Sequence, residues 1–185
     1  MTRLMPAPTF AGGQAMTVAR PVQHSRISSG TVMTQVDFSQ GVSDHTAELA
    51  RRLLSRFSRV VLIGVLGNKG GEYNPAFSLE QFVPHLEEAL SRKVWFIGTN
   101  VGPDAESALD GIPAGSVVLL ENLRFCKSEQ RNPRSFAIRL SCLADFLHID
   151  AGHVPPQAWA HELANLLPAA LPHAPNHERT PAWPG

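Results

Sequence analysis

A few residues in this 185-residue chain have types and positions suited to chemistry. Asp37 follows a β-rich stretch and is placed to accept hydrogen bonds from the hydroxyls of a small ligand; a turn aspartate is the plainer alternative. Arg124 stands past the end of an apolar run, where a guanidinium can meet a phosphate or carboxylate, unless a scaffold carboxylate such as Glu121 holds it. The run Gly67-Asn68-Lys69-Gly70-Gly71 offers backbone N–H groups and Lys69 to an anion. It lacks the GK[ST] ending of a phosphate-binding P-loop, and a surface loop is the simpler expectation. His148-x-Asp150-x-x-His153, with His161 beyond it, mixes metal-ligating types without a fixed motif, and a hydrogen-bonded histidine explains it as well. Cys126 and Cys142 lie too far apart for a CxxC motif, and Cys142, inside an amphipathic stretch, reads as a small core residue. Arg51, Arg52, Arg56 and Arg59 form a basic cluster, expected to be a solvated face before a partner site.

The elements that must carry these residues alternate in type. Thr31 to Phe38 is β-rich, and Val60 to Leu66, Lys93 to Ile97, Val117 to Leu120 and Phe146 to Asp150 read as strands, the apolar ones buried on both faces. Ser43 or Asp44 caps a helix with Leu49, Leu53, Leu54 and Phe57 on one face. Ser78 caps a second helix running to about Arg92, with Glu80 and Gln81 in its first turn. Shorter helices are expected over Asp104 to Leu109, Pro133 to Ala144 and Gln157 to Leu167. This alternation predicts an α/β fold: a three-layer, Rossmann-like parallel sheet with helices on both faces. Its working site belongs at the carboxyl ends of the strands, where Asp37, the Gly67 loop, Arg124 and Asp150 fall.

Composition bounds the rest. Sixteen basic and sixteen acidic residues cancel, which argues against a nucleic-acid-binding or polybasic membrane role. Charged residues make up only 17% against a usual ~25%. Two cysteines exclude a disulfide scaffold, and no apolar run approaches the ~20 residues of a membrane span. A cytoplasmic location is expected. Residues 1–29 read as a mobile leader, 30–171 as the folded domain and 172–185 as a disordered, proline-rich tail.

Five segments, in order, resemble the N-terminal domain of phosphoglycerate kinase: VDF from Val36, VVLIGVLGNKGGEYNPAFSLE from Val60, VGPDAE from Val101, VVLLENLRF from Val117 and LADFLHIDA from Leu143. ANLLPAAL from Ala164 is similar to the segment before that family's interdomain connection. The resemblance implies a domain that holds a phosphoglycerate-type anion in a basic patch, facing a second domain that holds magnesium ATP or ADP for phosphoryl transfer. It places weak substrate contacts at Asp37, Ser39, Asn68, Lys69 and Arg124. No cofactor is expected for this chain, since the nucleotide belongs to the other domain.

The residues depart from the family where the chemistry lies. An R-x-D-x-N motif is matched by Gln35, Asp37 and Ser39, so only the aspartate is kept. Ala47 replaces an arginine expected beside Thr46; Val65 and Asn68 replace a histidine and an arginine; Gln157 replaces another arginine. Hydrogen bonds to charged groups contribute ~1.5–3 kcal/mol each. A ligand held at ~0.1 mM has only about 5–6 kcal/mol in total. Four such losses predict a catalytically inactive, truncated relative that retains the scaffold. Alternatives are a protein-interaction or self-association module, exposing an interdomain face near Trp159, Leu163, Leu166 and Leu167, or half of a split enzyme.

Overall fold

The computed structural model describes residues 28–67, 72–127, 131–150 and 157–170. Most of the expected leader, which ends within β1, all of the expected tail, the loop residues Asn68 and Lys69, and His153 lie outside them. Five parallel strands form one sheet in the order β3-β4-β2-β1-β5. They are β1 (Ser28–Val36), β2 (Phe57–Gly64), β3 (Val94–Ile97), β4 (Ser116–Leu120) and β5 (Phe146–His148). The helices are α1 (Asp44–Leu54), α2 (Val83–Leu90), α3 (Pro103–Asp110), α4 (Pro133–Ser141) and α5 (Ala158–Leu166).

Side-chain alternation along the strands divides the core into two layers. Val60, Leu62, Val117 and Leu119 face one way and pack with Leu49 and Leu53 of α1 and Leu86 and Leu90 of α2. Val61, Ile63, Val118 and Leu120 face the other way, toward Leu109 of α3, Phe136 and Leu140 of α4, and Trp159 and Leu163 of α5. Every β4 residue is buried, as a central strand covered on both faces requires. The three-layer α/β expectation describes this architecture.

Details of the elements differ from expectation for identifiable reasons. β1 begins at Ser28, earlier than Thr31, with a register shift between Ser28 and Thr31. Phe57 opens β2 instead of closing the α1 stripe, and its ring lies 5.2 Å from that of Phe146. Ser78 does cap a turn, but the turn Leu79–Phe82 is a 3₁₀ helix and the α-helix begins at Val83. Pro84 has no N–H to give the Glu80 carbonyl, so the α-helical hydrogen-bond pattern cannot start a turn sooner. Trp159 and Leu163 are core residues, which corrects the expected exposed face; of that group Leu166, 46% exposed, remains strongly open to solvent. The Phe136 and Trp159 rings meet edge to face at 6.0 Å, tying α4 to α5. Beyond α5 the chain returns beside β5, where Leu147 N donates to Pro168 O and Ala170 N to Leu147 O. That pairing covers much of the β5 edge. Among the described residues no helix is long and apolar enough to cross a membrane.

Candidate functional site

The loops leaving the strand carboxyl ends are fastened by two buried residues just past β4. Glu121 directs its carboxylate inward, accepting from the Ser78 hydroxyl at 2.8 Å, Leu79 N at 2.9 Å and Asn122 N at 2.7 Å. Asn122 Oδ1 accepts from Leu66 N and Arg124 N, both at 3.1 Å. Its Nδ2 donates to Leu66 O and Phe77 O. Asn100 Nδ2 donates to the Asn122 carbonyl. One asparagine therefore joins the β2 loop, the segment before α2 and the turn after β4. Buried polar groups must be paired, and here each finds a backbone partner that would otherwise be orphaned. Gly67 completes the seam: it has φ +67°, and a Cβ there would run into the Phe77 ring.

Glu121 is thus committed to the scaffold, and Arg124 is not held by it. Arg124 is half-buried in a single 3₁₀ turn, Leu123–Phe125, and its Nε is buried without a hydrogen-bond partner. A buried, unpaired donor costs about 1–3 kcal/mol, the kind of deficit a ligand anion removes.

The second feature is an open cleft of about 260 Å³ between the ends of β1 and β5 and the amino end of α1. Gln35, Asp37, Ser43, His45, Thr46 and Asp150 line much of it. Ser43 caps α1, accepting from Thr46 N at 3.2 Å, and its hydroxyl lies 3.0 Å from that of Thr46. His45 Nε2 meets Asp150 Oδ2 at 2.5 Å across the cleft, with side chains 43% and 16% exposed. Asp37 accepts from Ser39 N at 2.8 Å, so the turn role and the cleft-lining role coexist in one carboxylate. Among the described residues no lysine or arginine lines this cleft, and Arg124 lies outside it. The cleft is rich in acceptors and poor in cations.

The sequence-derived candidates therefore separate. Asp37 lines the cleft, Ser39 is exposed on its Asx turn, and Arg124 stands apart. Asn68 and Lys69 are outside the described residues. Ala47, where an arginine was expected, is 2% exposed and packs in the α1 core. Val65 leans on the opposite core layer, and Gln157 takes the N-cap place of α5. Of the metal-like grouping, Asp150 pairs with His45 and His161 is exposed, while His153 lies outside the described residues. Among the described residues no group of three or more His, Cys, Asp or Glu side chains is placed to hold a metal. Sequence reasoning missed His45, since its partner lies 105 residues away. Its one local signal was its place in the first turn of a capped helix at a strand carboxyl end.

Comparison with known proteins agrees with the motifs. The family model described as phosphoglycerate kinase matches residues 33–160. The phosphoglycerate kinase of Moorella thermoacetica is 34% identical over 156 residues, covering 78% of this chain and 40% of that protein. That of Ruegeria sp. TM1040 is 37% identical over 119 residues, covering 63% of this chain and 30% of that protein. The crystal structure of phosphoglycerate kinase from Pyrococcus horikoshii OT3 superposes with a TM-score of 0.55 at 23% identity, over 69% of this chain and 35% of that one. This chain thus spans well under two thirds of the length of these relatives. With the model match extending over more than half of its residues, the chain belongs to the phosphoglycerate kinase family.

Proposed function

We propose that this chain is a phosphoglycerate kinase-like substrate-domain scaffold that does not catalyse phosphoryl transfer by itself. The observation that carries this is Ala47. By the family resemblance it stands where a charge-balancing arginine is expected, and it is sealed in the core between α1 and the sheet. Phosphoryl transfer depends on cations positioned at the charge that develops in the transition state, and one arginine can be worth several orders of magnitude in rate. Among the described residues no side chain lining the cleft restores that cation. His45 is the closest substitute in kind, but its ring is engaged with Asp150. Asp37 and Asp150 further oppose a multiply charged phosphoglycerate by like-charge repulsion. Among the described residues Arg124, with its buried and unpaired Nε, supports residual, weak anion contact. A cytoplasmic setting is part of this proposal; one relative is named as a cytosolic phosphoglycerate kinase, from Nicotiana tabacum.

Two measurements on the full 185-residue protein test it. In a linked assay with 3-phosphoglycerate and ATP, the expected result is ADP formation at the background rate. In an NMR titration, 3-phosphoglycerate should produce only weak shifts at Arg124, with no saturation below about 10 mM, equivalent to under ~3 kcal/mol of binding. Turnover above background, or saturation in the sub-millimolar range at Asp37 and Arg124, would sink the proposal.

A further inference from the structure

A second hollow lies at the opposite end of the sheet from the family's site. It has a volume of about 350 Å³ and sits where α1 and α2 end and β4 begins. Leu54, Leu90 and Val117 supply apolar walls, with Leu90 and Val117 buried. Arg51, Arg92 and Ser55 supply the polar part of its lining, and among the described residues no carboxylate lines it.

Both arginines are positioned by the backbone. Arg51 Nη2 donates to Ala89 O, and Arg92 Nη1 donates to Gly115 O at 3.1 Å. A guanidinium has five N–H donors, so one tether each leaves most of them for a ligand. The competing carboxylate is Glu48, 3.7 Å from Arg51 Nη1 and 76% exposed, a pairing of little strength in water. The arginines are not wholly consumed in capping the helices either. Ser55 N takes Arg51 O, Arg56 N takes Leu53 O, and the Ser55 hydroxyl takes Arg52 O at the end of α1. Arg92 N and Ser91 N take Glu87 O and Glu88 O at the end of α2. The negative helix ends are largely satisfied by their own caps.

We propose that this hollow binds a small organic anion, specifically a carboxylate with a short alkyl chain. Guanidinium forks match a carboxylate in geometry and charge, and restraint by backbone tethers reduces the ordering cost of binding. The partly exposed Leu54, backed by the buried Leu90 and Val117, takes the alkyl part, and a bare inorganic anion would leave that Leu54 surface in contact with water. The site is independent of the family's substrate region and of the proposed loss of catalysis.

The test is an NMR titration of the ¹⁵N-labelled full chain with hexanoate, with inorganic phosphate and hexan-1-ol as separate probes at constant ionic strength. Saturable hexanoate shifts are expected at the Ser55, Leu90 and Gly115 amides, with a millimolar Kd. Phosphate and hexanol should each bind at least about tenfold more weakly, because each offers only half of the recognition. The double variant Arg51→Gln, Arg92→Gln should lose hexanoate binding by at least about tenfold. Should that variant fail to give a dispersed spectrum, Arg92→Gln alone must weaken binding several-fold. Absence of saturation to about 20 mM, shifts centred instead on Asp37, equal binding of hexanol or phosphate, or variants that bind as the parent does would each overturn the proposal.

Discussion

Asn122 shows how one side chain can be a motif residue by sequence and a fastening by structure. Its amide satisfies Leu66 N, Leu66 O, Phe77 O and Arg124 N, none of which belongs to a continuous ladder at that point. Asn122→Ala leaves several of these buried and is expected to cost about 2–4 kcal/mol, read as a lower urea midpoint with an unchanged slope. Arg124 predicts the opposite behaviour. Because its Nε is buried and unpaired, Arg124→Met should change stability by less than about 1 kcal/mol, and in the stabilising direction. Equilibrium urea unfolding of both variants checks the contrast; a strongly destabilised Arg124→Met would mean that the guanidinium has a structural partner. The LLENLRF stretch was legible as a family segment, but the division of labour within it was not. Glu121 and Arg124 are close in sequence, yet the carboxylate turns to Ser78 and Leu79.

At the scale of elements, the amino end of α1 is the joint that matters. Ser43 was readable as a cap because Ser and Asp precede an amphipathic run, and it does accept from Thr46 N. Ser43→Ala should cost about 1 kcal/mol, measured by thermal or urea unfolding. The same turn carries His45 to Asp150, which links α1 to the end of β5. Since this pair is partly solvated, a double-mutant cycle of His45→Ala and Asp150→Ala should give a coupling of about 1 kcal/mol or less, diminishing in high salt. A coupling several times larger would show that the bridge organises the cleft more than its exposure allows. The second helix teaches the converse lesson. Ser78, Glu80 and Gln81 announce a helix start, but Pro84 delays the α-helix to Val83, and the intervening turn is 3₁₀.

For the whole molecule, the two-sided core and the returning segment after α5 decide how much of the chain folds as a unit. α5 packs through Trp159 and Leu163 against Phe136 and Leu140, so it is part of the domain core and not a detachable connector. Trp159→Ala should therefore cost about 3–5 kcal/mol, visible in the urea midpoint, with loss of the near-ultraviolet aromatic signal. A loss below 1 kcal/mol would place α5 outside the cooperative unit. The existence of the strands, the Ser43 cap and the α/β class were legible in the sequence alone, because burial on two faces writes continuous apolar runs and helices write a 3.6-residue period. The starts of β1, β2 and α2 were not. The sequence also carried the resemblance to the family motifs, with Ala47 and Val65 at positions where that resemblance expects an arginine and a histidine. Only the tertiary structure decided the strand order, the pairing of His45 with Asp150, the burial of Trp159, and the opposite characters of the two hollows: acceptor-rich at the strand carboxyl ends, arginine-bearing at the other. The physical reason is range. Periodicity and capping act over a few residues, whereas these meetings join residues far apart in the chain, and the packing of whole faces sets which side chains arrive together.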